Sequence, residues 1–376
     1  MPSGSSRSSM MAEPFVDPGG LLVHWVETDL VPYVAEGGSC VKWITGRPGS
    51  GKSTLLAALR RHAQPLGFLS AAVSAAEVPV GRFDEFYRAI ARQLAPEVAA
   101  KAVAEGMARD LGRASWFALP GGPTLEDDLI GSGRPAEAVR SDLQAKLYSL
   151  HQKPDIIDPV ATALRRMVEP FLRGAIVPES DAISRRWLLG EKVSASERRR
   201  AGIRVPVDRY GARDIFRSLL AVLRLGGKKG AVITVDDLEA LLTKEEPVKY
   251  TRMRRDDAYE GIREFIDDLG TLPGLFLVYA GRGEVFTDER AGLRSYPALA
   301  MRVTNEVRSR RLNLLNDVQN LDDLWRTDWA TNRQMLCEAY GATEAPDLFQ
   351  SPQVWLQGSV SPVKLLVEAI SRREAF

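Results

Sequence analysis

Short, mostly apolar runs bounded by glycine or proline recur along this chain. Val41-Lys42-Trp43-Ile44-Thr45 and Phe68-Leu69-Ser70-Ala71-Ala72-Val73 lie near the start. Ala231-Val232-Ile233-Thr234-Val235 and Leu275-Phe276-Leu277-Val278-Tyr279-Ala280 lie far downstream, and Leu312-Asn313-Leu314-Leu315 reads as a fifth strand. Runs this short and this apolar predict strands buried on both faces. Elsewhere apolar residues return every three or four positions, the helical period. One such segment runs from 52 to 63 and is stopped by Pro65 and Gly67. Another, from 256 to 269, puts Ile262, Phe265, Ile266 and Leu269 on one face before Gly270. Two more close the chain at 320–340 and 362–373, the last with Ser361 as cap and Pro362 at its first position. Apolar strands alternating with helices predict a parallel sheet covered on both sides.

That alternation fails between residues 82 and 225, where nearly every periodic segment is helical. Val139, Leu143, Leu147 and Leu150 share one face, as do Val160, Leu164, Met167, Val168 and Phe171. Ser194-Ala195-Ser196-Glu197 has the spacing of a capping box. The expected organisation is a disordered tail at 1–19, a first core segment at 20–81 and a helical insertion at 82–225. A second core segment at 226–317 and a small C-terminal helical lid at 318–376 complete it. Residues 20–38 carry apolar positions at helical spacing, which fits either a lid over a nucleotide base or a helix packed on the core.

Composition narrows the function by exclusion. A chain of 376 residues exceeds what one core usually serves, in line with an inserted unit. Fifty Lys and Arg balance forty-nine Asp and Glu for a net charge of +1, so nucleic acid or an anionic membrane could be met only through local patches. Cys40 and Cys337 stand far apart, and His24, His62 and His151 are equally scattered, which predicts neither a zinc site nor a disulfide framework. The Ser-rich start has no apolar signal core and no apolar run spans a bilayer, so a cytoplasmic protein is expected.

The chemistry lies where the first strand meets the first helix. Gly46-Arg47-Pro48-Gly49-Ser50-Gly51-Lys52-Ser53 is a complete G-x-x-x-x-G-K-[ST] loop, continued by Thr54. Its glycines let several backbone N–H groups turn inward onto phosphate oxygens, Lys52 adds a positive charge, and Ser53 offers a hydroxyl to Mg²⁺. The anion then sits on a helix N-terminus. Asp236 ends the 231–235 strand and is placed to hold Mg²⁺ with Ser53; the adjacent Asp237 would orient or deprotonate the attacking water. The alternative is that the two acids cap the turn at Leu238. An arginine from a neighbouring subunit would complete phosphoryl-transfer chemistry, and Arg294, Arg302, Arg308 and Arg310 are candidates, Arg302 first. Basic clusters at 185–186, 198–200, 228–229 and 252–255 could touch DNA phosphates, with Trp187 stacking on a base.

Several segments together resemble a known family. Trp187-Leu188-Leu189-Gly190-Glu191, Ala201-Gly202-Ile203, the acid-ended strand at 231–237, Leu272-Pro273-Gly274-Leu275, Ala280-Gly281 and Ser295-Tyr296-Pro297-Ala298-Leu299 resemble the ATP-binding protein of BREX phage-defence systems, the BrxD-like family. The likeness runs from about residue 20 to the C-terminus. It implies an α/β, AAA+-like P-loop ATPase with a parallel five-stranded sheet, binding ATP and Mg²⁺ as a homo-oligomer beside other phage-defence proteins. Three positions depart from the pattern: Asp236-Asp237 stands for Asp-Glu, Gly281-Arg282 for Gly-Thr, and Pro362-Val363 for Pro-Arg. Each falls where a related ATPase senses or acts on the γ-phosphate. A second reading is therefore a conformational switch that binds ATP with little turnover; a kinase is disfavoured because no acceptor motif is present.

Overall fold

In the computed structural model, which describes residues 14–174, 179–303, 318–351, 354–355 and 358–373, five parallel strands form one sheet. They are β1 (Ser39–Thr45), β2 (Phe68–Ser74), β3 (Gly230–Asp236), β4 (Leu275–Gly281) and β5 (Val318–Asn320), in the order β2-β3-β4-β1-β5. Register brings their C-terminal ends to one edge: Ser74 pairs with Asp236, and Thr45 pairs with both Gly281 and Asn320. The segment expected as the fifth strand, 312–315, lies outside the described residues; the strand seen beside β1 is Val318–Asn320.

Alternation along the strands splits the core in two. Val41, Trp43, Ile233, Val235, Leu277 and Tyr279 face a core shared with the inserted helices. Cys40, Ile44, Val232, Phe276 and Val278 face a second core, closed by the N-terminal helix, the Lys52–Ala63 helix and the C-terminal helices. Two polar residues on this second face each find a partner. Thr234 accepts from Arg60 Nη1 at 2.5 Å, and Lys42 Nζ lies 3.0 Å from Asp29 Oδ2 with both side chains at most 5% exposed. Asp29 belongs to a helix running through Leu21–Trp25 and on to Val34 with widened, i to i+5 closure at Ala35. Leu22, Trp25, Leu30 and Val34 are buried, so the segment 20–38 supplies a helix, from Leu21 to Val34, packed on the core. Val16 and Pro18 are buried as well, so the packed chain begins before residue 20.

Between β2 and β3 the described residues form eight α-helices and no strand. The first, Phe83–Leu94, belongs to the sheet: Gln93 bonds both the N–H (2.9 Å) and the C=O (2.8 Å) of Ala72, closing the free edge of β2. Ser194 and Glu197 form the reciprocal capping box their spacing predicts. The pattern over 320–340 reads as one helix, but Asp328, at φ −132°, breaks it into Leu321–Thr327 and Trp329–Ala339 and caps the second through Thr331 N–H. Ser361 differs too: its hydroxyl is buried without a hydrogen-bond partner among the described residues, while its backbone N–H is used elsewhere.

Removing one member of a buried ion pair leaves a charge desolvated and alone, at a cost of about 3–5 kcal/mol. Asp29→Ala should lower the unfolding free energy by about that much in urea titrations, and adding Lys42→Met should restore most of it. Equal stabilities of the single and double variants would mean the pair contributes nothing.

Candidate nucleotide site

The loop between β1 and the Lys52–Ala63 helix is built by an accounting of backbone groups. A loop that turns its N–H groups inward must turn its carbonyls outward, and buried carbonyls need donors. Lys52 Nζ donates to the carbonyls of Gly46 (2.8 Å) and Arg47 (3.1 Å). Trp325 Nε1 donates to Ser50 O at 2.8 Å, and the N–H of Ser361 donates to Pro48 O at 2.9 Å. Asp322 Oδ2 accepts from the Arg47 N–H at 2.6 Å. The Arg47 guanidinium rests over Trp355, 5.3 Å from its ring centroid. The C-terminal helices thus strap the loop from outside. Gly49 and Gly51 hold φ of 80° and 91°; a Cβ at Gly49 would lie 2.4 Å from Lys364 Cβ, while the space a Cβ would take at Gly51 is open.

The loop faces a cleft of 470 Å³. Lys52, Ser53 and Thr54 form one wall, Asp236, Asp237, Glu239 and Arg282 a second, and Tyr340, Val363, Lys364 and Val367 a third. Ser53 Oγ donates to Asp236 Oδ2 at 2.6 Å, so the two residues expected to share a cation touch. They meet across β4, which separates β1 from β3. Burial pushes the Lys52 ammonium down, and the charges of Glu239, Asp236 and Asp322 hold it up.

Asp237 sits beside the cleft in an unusual pose. Its backbone is left-handed, φ 59°, and its carboxylate accepts from Ser74 Oγ at 2.6 Å, so it makes no side-chain cap on the Leu238–Leu242 turn. Arg302 is elsewhere. Its guanidinium clasps Asp267 with bonds of 2.5 and 2.9 Å, holding the Pro297–Val303 helix against the Arg252–Asp268 helix. Arg294 is in the short turn Leu293–Ser295, and Arg308 and Arg310 lie outside the described residues. The proposed base-stacking Trp187 is corrected by the structure: it is 1% exposed and its Nε1 donates to Val205 O. In the basic clusters, Arg186 is held by Glu191 and Glu197, and Arg200 lies near Glu179.

Residues without a sequence motif complete the site. Asp322, Trp325 and Lys364 lie about three hundred positions beyond the loop, and no local spacing links them to it. Glu239 was within reach of sequence reasoning, three residues after Asp236, but its role depends on how the turn at 238–242 folds.

A glycine-rich strand-to-helix loop at the C-terminal edge of a parallel sheet, with an acid one strand removed, defines a phosphate-binding α/β protein. The family model described as BREX system ATP-binding protein BrxC/D matches residues 24–348, and the chain belongs to that family. Membership makes it an ATP-binding component of a BREX phage-defence system. Neither the curated proteins nor the solved structures contain a match to the chain.

Trp325→Phe keeps the packing but leaves Ser50 O without its donor, a loss of about 1–3 kcal/mol for a buried acceptor. The unfolding free energy of the nucleotide-free protein should therefore fall by about that much in urea titrations, and ATP affinity measured by calorimetry should fall as well, to the extent that the loop loses its binding shape. An unchanged affinity would show that the strap does not shape the loop.

Proposed function

We propose that the chain is an AAA+-like ATPase that couples its nucleotide state to partner proteins, and to DNA, within the defence system. The observation that carries this reading is the convergence of Lys52, Ser53 and Asp236 in one cleft, from segments almost two hundred residues apart. The sheet order, with β4 between the loop strand and the acid strand, supports the AAA+ assignment, and the helices closing the third wall support that of a C-terminal lid.

The cleft fits a nucleoside triphosphate along its length. Tyr340, Val363 and Val367 offer an apolar wall to a base, while Lys364, opposite Gly49, and Lys52 bring positive charge to the phosphates. The Ser53 hydroxyl and the Asp236 carboxylate are hard oxygen donors of the kind Mg²⁺ takes, with water completing its shell. When bound, the ion would neutralise charge on the β- and γ-phosphoryl oxygens. The residues themselves bind and orient: Lys52 holds the phosphates, Ser53 and Asp236 hold the cation, and a second acid from the segment that follows β3 handles the attacking water. In an oligomer, Arg302 is the arginine this reading sends to a neighbouring copy's γ-phosphate once it releases Asp267. DNA contact rests on exposed positions such as Arg199 and Arg252.

The second reading, a switch that binds ATP without turnover, is favoured by the engagement of the Asp237 carboxylate by Ser74. Phosphate release and ATP binding, measured on wild type, Lys52→Ala and Asp236→Asn, decide between the two. An ATPase should turn over in the wild type and lose turnover in both variants. Lys52→Ala should also bind ATP about tenfold or more weakly, the cost of a lost charge-assisted contact. Tight ATP binding without wild-type turnover selects the switch, and no ATP binding at all removes both readings.

A further inference from the structure

Two acids stand near the place a γ-phosphate would occupy, and the structure treats them differently. Asp237 follows Asp236 directly. Its N–H is held by Asp236 Oδ1 at 2.9 Å, and its short side chain is drawn toward the end of β2 by Ser74. Glu239 lies two residues on, in the Leu238–Leu242 turn, and has one more methylene of reach. Its carboxylate lies on the end of β4, where Oε1 is 3.0 Å from Arg282 Nε and Oε2 accepts from the Arg282 N–H at 3.3 Å. Gly281 leaves room for this approach: a Cβ there would lie 2.8 Å from Leu238 Cβ and 3.6 Å from Glu239 Oε2.

β4 lies between β1 and β3, so the Glu239–Arg282 pair occupies the middle of the strand-end row, with the Lys52–Ser53 loop on one side and Asp236 on the other. The pair also borders open space. Beyond it the cleft widens into a 670 Å³ groove lined by Glu245, Glu246 and Glu284. Glu239 and Asp236 both lie close enough to hold the Lys52 ammonium up against its burial. Arg282 is half-exposed and tied to one partner carboxylate, so a more highly charged anion beside Lys52 would compete for it.

We propose that Glu239, not Asp237, takes the proton of the water that attacks ATP, and that Arg282 is the cation the γ-phosphate recruits, so their ion pair is a latch that a triphosphate opens. This deepens, and rests on, the reading of the chain as an ATPase. In the step, the water oxygen forms a bond to the γ-phosphorus while the bond from that phosphorus to the β,γ-bridging oxygen breaks. ADP leaves with the bridging electron pair, Glu239 accepts the water proton, and inorganic phosphate departs. A diphosphate has no third phosphoryl group to draw Arg282 away, so Glu239 stays engaged in the ADP state.

The test uses the full chain with Mg-ATP and Mg-ADP, following phosphate release and the affinity for each nucleotide in wild type, Glu239→Gln, Asp237→Asn and Arg282→Ala. Glu239→Gln should bind ATP within about threefold of wild type and lose about 10²-fold or more in turnover, the usual contribution of a positioned base. Asp237→Asn should stay within about tenfold of wild-type turnover. Arg282→Ala should weaken ATP binding about tenfold and leave ADP binding unchanged, as loss of one charge-assisted contact to the γ-phosphate does. Turnover that survives in Glu239→Gln, or equal losses of ATP and ADP affinity in Arg282→Ala, overturns the latch while leaving the ATPase intact. A wild type that binds ATP but releases no phosphate overturns the ATPase reading first, and Glu239's role with it.

Discussion

Everything at the nucleotide site depends on donors for the outward carbonyls of one loop. To aim amides at an anion, the segment from Gly46 to Ser50 must present its carbonyls to the protein, where no water replaces a missing donor. Lys52 answers from within the loop, for Gly46 and Arg47. The others come from the far end of the chain: Trp325 for Ser50, Ser361 for Pro48, and Asp322 to hold the Arg47 N–H. The C-terminal helices are therefore part of the loop's construction. They bring their apolar residues, among them Leu321, Trp325, Trp329 and Leu366, into the same core as Ile44 and Leu55, on the face of the sheet from which the loop helix rises. Packing on that face fixes where the strap can reach.

The opposite side of the cleft is governed by charge. Asp236, Asp237, Glu239 and Arg282 all issue from the ends of β3 and β4, because a parallel register with matched strand ends lines up whatever follows each strand. Three carboxylates so close together repel one another unless cations or hydroxyls divide them. Here the division is definite: Ser53 donates to Asp236, Ser74 to Asp237, and Arg282 to Glu239. Each acid is thereby joined to a different element: the start of the Lys52–Ala63 helix, the end of β2 and the end of β4 respectively.

Sequence made one half of this legible. Continuous apolar runs located β1 to β4 within two residues at every end, since a strand buried on both faces has little freedom of composition. The phosphate loop and Asp236 were legible because their chemistry is compressed into eight residues and into the end of one strand. The strap was not. Asp322 and Trp325 sit at helical spacing that looks like any amphipathic turn, and only the three-dimensional return of the chain to β5, beside β1, brings them under the loop. The pose of Asp237 was hidden for a local reason: adjacency to Asp236 suggested a shared direction, whereas its backbone is left-handed and its carboxylate accepts from Ser74, at the end of β2. Trp187 was ambiguous because two arginines precede it and two leucines follow, and its ring is buried.

The helical insertion joins the site through the same strand ends. The chain leaves the sheet at Ser74, beside the Ser74–Asp237 hydrogen bond, and re-enters it at Gly230, at the opposite end of β3. Just beyond Ser74, Ala75 N–H donates to Asp236 O at 2.9 Å, and Tyr250 Oη, buried by the Arg252–Asp268 helix, donates to Ala75 O at 2.9 Å. The first residues after β2 are thus hydrogen-bonded to the strand that ends in Asp236. Phe83, Phe86, Phe216 and Phe265 continue the contact as one aromatic cluster with ring centroids about 5.5–6.4 Å apart, linking the insertion's first and last helices to the helix that follows β3. A close-packed interior of this kind transmits displacement instead of absorbing it. The loop is held by the C-terminal helices on one face of the sheet, while the insertion packs on the other face and reaches the acids through the residues that follow β2. The cleft is the place where a nucleotide would touch both.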